Sequence, residues 1–164
     1  MEVSAKQPSL TDLAVVIAPW AHIKQIRLVR SVIESNISQE PPTSQLHHTF
    51  DATTTLNRER QILTVHVSLA VWLGDFVRIT AEFVLEYAVA KSPVEVNDQV
   101  DNAFGKMTGV YNAWPYWREY VQSTISRLGL PPLALPLITA ASMMAYYAEK
   151  EKGTMESDSP STPA

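Results

Sequence analysis

The sequence predicts an α+β protein: a four-stranded antiparallel sheet with a long helix and a shorter C-terminal helix packed on one side. Three observations predict it. Two runs of apolar–polar alternation flank a turn at Gly74–Asp75, apolar spacing lengthens to helical values after Pro93, and prolines at 131, 132 and 136 precede the last helical stretch. Strands grouped before helices leave the helices to cover a single face of the sheet.

Residues 1–22 form a partly helical N-terminal segment. Residues 1–9 carry no pattern and read as disordered, whereas 11–22 suit a short helix capped by Thr11 or Asp12 and interrupted at Pro19. The β-branched run from Gln25 to Ile37 predicts the first strand, and the proline-broken stretch Gln39–Ser44 a loop. His47–Asn57, with Thr53, Thr54 and Thr55, is the second strand and ends in a polar turn, Asn57–Gln61. Leu63, Val65, Val67, Leu69 and Val71 then alternate with Thr64, His66, Ser68, Ala70 and Trp72, which gives a strand with one buried face. Val77, Ile79, Ala81, Phe83, Leu85 and Tyr87 repeat the pattern beyond the turn, so the two runs form a β-hairpin.

Asn97 suits the cap of a helix containing Val100, Phe104 and Met107, which Gly105 and Gly109 weaken. Pro115 fits the first turn of a second helix, along which Tyr116, Tyr120, Thr124 and Leu128 recur every four residues. Gly129 ends that helix and Pro131 prevents its return. A final helix covers about Ile138 to Lys152, and the low-complexity tail 153–164 reads as disordered. One domain, residues 23–150, accounts for the rest of the chain.

Composition narrows the function. A hydrophobic share of 46% with 18% charged residues describes a lightly charged globular chain. Thirteen basic against 17 acidic residues, a net charge of −4, argue against nucleic-acid binding, which requires cations to displace phosphate counterions. The absence of cysteine removes disulfides, thiolate metal sites and cysteine nucleophiles. The stretch 130–148 is uncharged, but its three prolines forbid a regular helix long enough to span a bilayer. The N-terminal apolar run Leu13–Pro19 follows Asp12 rather than a basic cluster and makes a poor signal peptide.

No catalytic pattern is present. The four histidines form no HExxH, and adjacent His47 and His48 on a strand point to opposite faces, so neither metal nor other cofactor is expected. No phosphate-cradling glycine loop and no GxSxG elbow occurs. What stands out is aromatic density: five of the ten residues in Tyr111–Tyr120 (YNAWPYWREY) are aromatic, and Trp72, Phe76, Met143, Met144, Tyr146 and Tyr147 add to them. More apolar surface than one helix buries points to contact with other chains, and methionine and aromatic groups suit varied partners.

The string Trp114–Pro115–Tyr116–Trp117–Arg118–Glu119–Tyr120–Val121, followed by Arg127–Leu128–Gly129–Leu130–Pro131–Pro132–Leu133–Ala134–Leu135, resembles the SecB family of protein-export chaperones over about residues 23–150. The resemblance implies a cytoplasmic holdase that binds non-native polypeptides and catalyses no reaction, assembled as a homotetramer, a dimer of dimers. Carried over by position, Leu130, Leu133, Leu135 and Leu137 would line the client-binding loop, with Trp72, Phe76 and Met144 nearby, while Arg118 and Glu119 would close the helix onto the sheet. Glu34 and Asp75 match acidic positions that meet the SecA motor, but Arg30 stands where a further acid is expected, which weakens that docking. The strings Ile23–Arg30 (IKQIRLVR) and REYV…RLGLPPLAL resemble more closely the branch linked to toxin–antitoxin systems, whose client is one antitoxin. An adaptor module that binds one folded partner is the alternative. For a groove of this kind, Leu133→Asp combined with Leu135→Asp is expected to keep the fold and abolish client protection.

Overall fold

The computed structural model describes residues 8–36, 46–90 and 97–157, with side chains through residue 153. Helix α1 (Leu10–Ile17) leads through a 3₁₀ turn (Ala18–Trp20) into strands β1 (Ala21–Ser35), β2 (Leu46–Asn57), β3 (Ile62–Leu73) and β4 (Val77–Val89). Helix α2 (Asp98–Phe104), a π-helical segment (Gly105–Gly109) and α3 (Val110–Arg127) follow without interruption, and α4 (Ala140–Ser157) closes the order. The predicted Gln39–Ser44 loop and residues 1–7 lie outside the described residues.

The sheet is antiparallel throughout, in the order β1-β4-β3-β2. The expected alternation holds residue by residue on β3, where Leu63, Val65, Val67, Leu69 and Val71 are buried. Ile79, Ala81, Phe83, Leu85 and Tyr87 of β4 continue the same apolar face. Gly74, at φ 52, makes the turn between the two strands, and the Phe76 amide donates to the Leu73 carbonyl at 3.1 Å. Strand β1 starts four residues earlier than its β-branched run. Its register with β4 carries Ala21 to Val89, so the partner strand templates residues with little strand preference of their own.

Ser9, rather than Thr11 or Asp12, caps α1. Its hydroxyl accepts from the Asp12 amide, and the Asp12 carboxylate accepts from the Ser9 amide at 3.0 Å, a reciprocal capping box. With Ala14 and Ile17 buried against α2 and the π segment, α1 is packed into the core rather than standing apart.

Pro115 does not begin a helix. The chain is helical from Asp98 to Arg127, and Pro115 lies exposed inside α3. A proline there removes one backbone bond at a cost of about 3 kcal/mol. Burial of Trp114 and Trp117 on either side offsets it, each ring contributing well over a single aliphatic side chain's burial.

The irregularity lies upstream, where the π segment crosses the sheet. A Cβ on Gly105 would strike Thr54 Cγ2, and one on Gly109 would lie 2.6 Å from Val65 Cγ1. These glycines are contact points between helix backbone and sheet, and the helix-weakening role expected of them is secondary. At its far end α3 stops in a Schellman arrangement: Leu130 donates to Ile125 O (3.2 Å) and Gly129, at φ 72, to Ser126 O (3.1 Å). Helix α4 runs on to Ser157, past the Lys152 boundary that composition suggested.

Gly109→Ala is therefore expected to destabilise the protein by about 1–3 kcal/mol through overpacking against Val65, although alanine is the better helix former by about 1 kcal/mol. Chemical denaturation checks this, and a stabilised variant would contradict the contact.

Candidate functional site

Beyond α3 the chain crosses the molecule as an extended arm, residues 130–139, before α4 begins. Prolines 131, 132 and 136 fix φ and supply no amide, so the arm holds its shape through outside partners. Two come from α3. Trp114 Nε1 donates to the Pro136 carbonyl at 3.0 Å and Arg118 Nε to the Leu135 carbonyl at 3.1 Å. Arg118 thus ties the helix to the arm, where a closure onto the sheet was expected. At the far end Thr139 and Ser142 cap α4 reciprocally, Ser142 N donating to Thr139 Oγ1 (3.1 Å) and Thr139 N to Ser142 Oγ (2.9 Å).

The four arm leucines differ in surroundings. Leu130 and Leu133 are half-buried against the core, Leu135 is 3% exposed and Leu137 is 75% exposed. Leu135 belongs to the protein's own core, so Leu135→Asp would bury a charge and test the fold rather than a surface. Leu137 is the exposed member, and Leu130 and Leu133 are each partly accessible.

Beside the arm lies an aromatic cluster built from three elements. Phe50 of β2 meets Tyr146 of α4 at a centroid distance of 4.0 Å, Tyr147 of α4 at 5.6 Å and Trp114 of α3 at 6.0 Å, and His48 of β2 meets Trp114 at 5.7 Å. Edge-on and tilted rings of this kind are favourable beyond their buried area. The Phe50 amide donates to the Tyr146 hydroxyl at 3.3 Å, and Lys150 pairs with Asp51, so α4 meets β2 around residues 50 and 51. Met144 packs on the same helix, half-buried, and its sulfur accepts from the Thr11 hydroxyl of α1 at 2.9 Å.

Burial sets the electrostatics here. Desolvation pushes the Tyr147 hydroxyl far above its usual range, with Asp51 and Tyr146 adding to the effect, and Lys106 sits over its ring at 5.2 Å. Desolvation, and to a lesser degree His47, hold His48 below its ordinary value of 6.5. A folded-state value lowered in this way means neutral His48 contributes stability above pH 6.5, lost as pH falls from there towards the folded value.

The remaining candidates lie elsewhere. Trp72, Glu34 and Asp75 line one cleft of about 510 Å³ at the hairpin end of the sheet, together with Gly74 and Arg78. Trp72 stacks on His47 at 5.9 Å, and Arg78 lies 3.9 Å from Glu34. Phe76 is 3% exposed and supports this end from within. The structure therefore joins the arm leucines with Met144 through the core, and groups Trp72 with the two acids instead of with the arm. Of the dense aromatic string, Trp114 and Trp117 are buried, while Tyr111 and Tyr116 face outward. Sequence reasoning missed Phe50 and His48; their alternation with exposed residues on β2 was the available signal.

Among the described residues no group of three or more His, Cys, Asp or Glu side chains is placed to hold a metal. Asp101 is buried at the start of α2 with Oδ1 unpartnered; desolvation pushes its carboxyl up, opposed by Arg58. Within the arm and cluster Phe50, Trp114, Leu135 and Tyr147 are buried, Leu130, Leu133 and Tyr146 are half-buried, and Leu137 is exposed.

No family model and no curated protein matches the chain. Among solved structures it is similar to the Mycobacterium tuberculosis Rv1957 SecB-like chaperone, determined in complex with a ChAD peptide from the Rv1956 HigA1 antitoxin, at 24% identity and a TM-score of 0.69, covering 79% of this chain and 96% of that one. A protein of unknown function from Streptococcus agalactiae aligns at 9% identity and a TM-score of 0.41, over 71% of this chain and 96% of that one. The four antiparallel strands followed by a long and a terminal helix are thus the SecB-like fold.

Proposed function

We propose that this protein is a cytoplasmic molecular chaperone that holds non-native polypeptide segments against the proline arm and the neighbouring aromatic cluster, without catalysing a reaction. The observation that carries the reading is the arm itself: an extended apolar segment pinned to α3 with Leu137 left 75% exposed. Isolated surface leucines are common, but this one stands on an arm bonded to α3, in a chain whose arm and last helix also carry half-buried Leu133, Met144 and Tyr146. Each 100 Å² of apolar client surface covered there is worth about 2.5 kcal/mol before ordering costs.

A dedicated antitoxin client is the reading favoured over general export precursors. The SecB-like neighbour was captured with an antitoxin peptide, which supports it. The cleft around Glu34 and Asp75 also contains Arg78, close enough to Glu34 to offset its charge, which disfavours SecA docking by acidic attraction.

A homotetramer is part of the proposal, and β1 supports self-association. It is a 15-residue edge strand whose Ile23, Leu28, Val29, Val32 and Ile33 are each at least 40% exposed. Those residues fall on both faces of the strand, so no single helix of this chain could cover them. Long apolar edges left open invite pairing with another strand, and a second copy of β1 offers the same length and pattern. Two register shifts, at Ile23/Gln25 and Leu28/Arg30, would have to be matched across such a pair.

Two outcomes test this. Leu137→Asp should leave circular dichroism and melting temperature nearly unchanged while weakening suppression of aggregation of an unfolded model protein; full suppression by that variant would defeat the assignment. Binding of a folded partner alone, with denatured proteins ignored, would instead establish an adaptor. Separately, Val32→Lys with Ile33→Lys should shift sedimentation from oligomer to a smaller species, and a wild-type protein that sediments as a monomer at micromolar concentration would exclude the β1 contact.

A further inference from the structure

Leu135 and Leu137 are two residues apart, the spacing at which side chains of an extended strand share a face. One is 3% exposed and the other 75% exposed. Across Pro136 the arm thus passes from a buried to an exposed position, its rollover. Both bonds from α3 fall at that point: Arg118 takes the carbonyl just before the proline and Trp114 the carbonyl of the proline itself. The two donors are four residues apart on α3, hence on one helix face, and the later donor takes the earlier carbonyl, so the arm runs back antiparallel to the helix.

An exposed leucine has a standing tendency to turn inward, because burial of its side chain is favourable. Pro136 restricts the backbone but does not decide which way the next side chain points. With Trp114 anchored in the core and its indole N–H committed to the arm, the carbonyl of Pro136 is fixed in direction, and the peptide plane that follows is fixed with it.

We propose that Trp114 and Arg118 are positioning residues that lock the rollover at Pro136 and so hold Leu137 outward, ready for a client. The proposal rests on the chaperone reading above for its purpose, but the lock is a property of this chain alone. A pinned arm spares the client the cost of ordering it, which is the usual source of affinity from a preformed site.

The absence of cysteine from the sequence makes the lock directly measurable. Leu137→Cys introduces a single thiol at the exposed position, and its reaction rate with a thiol reagent reports how far the residue points outward. Adding Trp114→Phe, which keeps a ring but removes the N–H, or Arg118→Gln should slow labelling several-fold. In the Leu137 background, the same substitutions should weaken binding of a reduced, alkylated model protein about tenfold, the scale of one lost hydrogen bond. Arg118→Lys, which retains a charged donor, should recover part of both effects.

Unchanged or faster labelling overturns the lock, whatever happens to binding. Slower labelling with undiminished client affinity overturns its role in recognition. Wild-type protein that binds no unfolded polypeptide would defeat the chaperone reading instead, while the labelling rates would still decide the lock. Should Trp114→Phe fail to fold, Arg118→Gln at its half-buried position carries both measurements.

Discussion

Gly105 and Gly109 allow the backbone of the π segment to rest directly on Thr54 of β2 and Val65 of β3, and the rest of the helical layer takes its position from that contact. A helix held off the sheet by side chains would sit an ångström or more higher. Residues further along would then miss their partners: Trp114 would lose the edge contacts with Phe50 and His48, and Asn112 its hydrogen bond to the Tyr87 hydroxyl. That hydroxyl is itself pushed up to about 12 by burial under the helix. The π segment adds a residue to one turn, which rotates everything after it relative to α2. Trp114 and Trp117 enter the core in that new phase. Trp117 does so without a partner for its indole N–H, an unmet donor costing about 1–3 kcal/mol that the buried ring has to outweigh.

The two edges of the sheet are treated in opposite ways. Beside β2, α4 bonds the Phe50 amide through Tyr146 and ties Lys150 to Asp51, so that edge is engaged at its middle from within the chain. Beside β1 no described element of the chain provides cover, although the strand is the longest in the sheet and rich in β-branched residues. Proteins commonly blunt an open edge with charge, proline or bulges. Here Lys24, Arg27, Arg30 and two register shifts supply some of that, yet the apolar side chains between them remain exposed. An edge only partly blunted is consistent with a strand adapted to one particular neighbour, since full protection would exclude it along with the unwanted ones.

Most of the sheet was legible in the sequence because period-two patterning depends on nearest neighbours alone. Leu63–Val71 and Val77–Tyr87 announce their buried faces whatever packs on them. The helical layer was harder to read. GKMTG at Gly105–Gly109 looks like a weak helix by propensity, and only the sheet beneath turns those glycines into close contacts. Pro115 looks like a helix start, and only the two buried tryptophans explain why the helix passes through it. For the arm, the family resemblance pointed to the leucines but not to their burial: Leu135 and Leu137 are alike in sequence, yet one is buried and the other exposed. The hairpin-end cleft was half legible. Trp72 and Asp75 flank the predicted turn, but Glu34 joins them through the β1–β4 register, which no local pattern reveals.

The displaced pKa values in this protein trace to packing rather than to a shared site. Catalysis needs donors, acceptors or titrating groups converging on one point, with their pKa values tuned by neighbours. Among the described residues the groups with displaced pKa values are spread apart: His48 and Tyr147 in the aromatic cluster, Tyr87 under the helix, Asp101 at the start of α2. In each of them desolvation is the largest cause, and two of the four are phenols shifted away from ionisation at neutral pH. These are marks of packing. What does converge, at the junction of β2, α3, α4 and the arm, is packed ring area: Phe50, Trp114 and Tyr147 are buried together, and the arm is bonded to α3 through the carbonyls of Leu135 and Pro136.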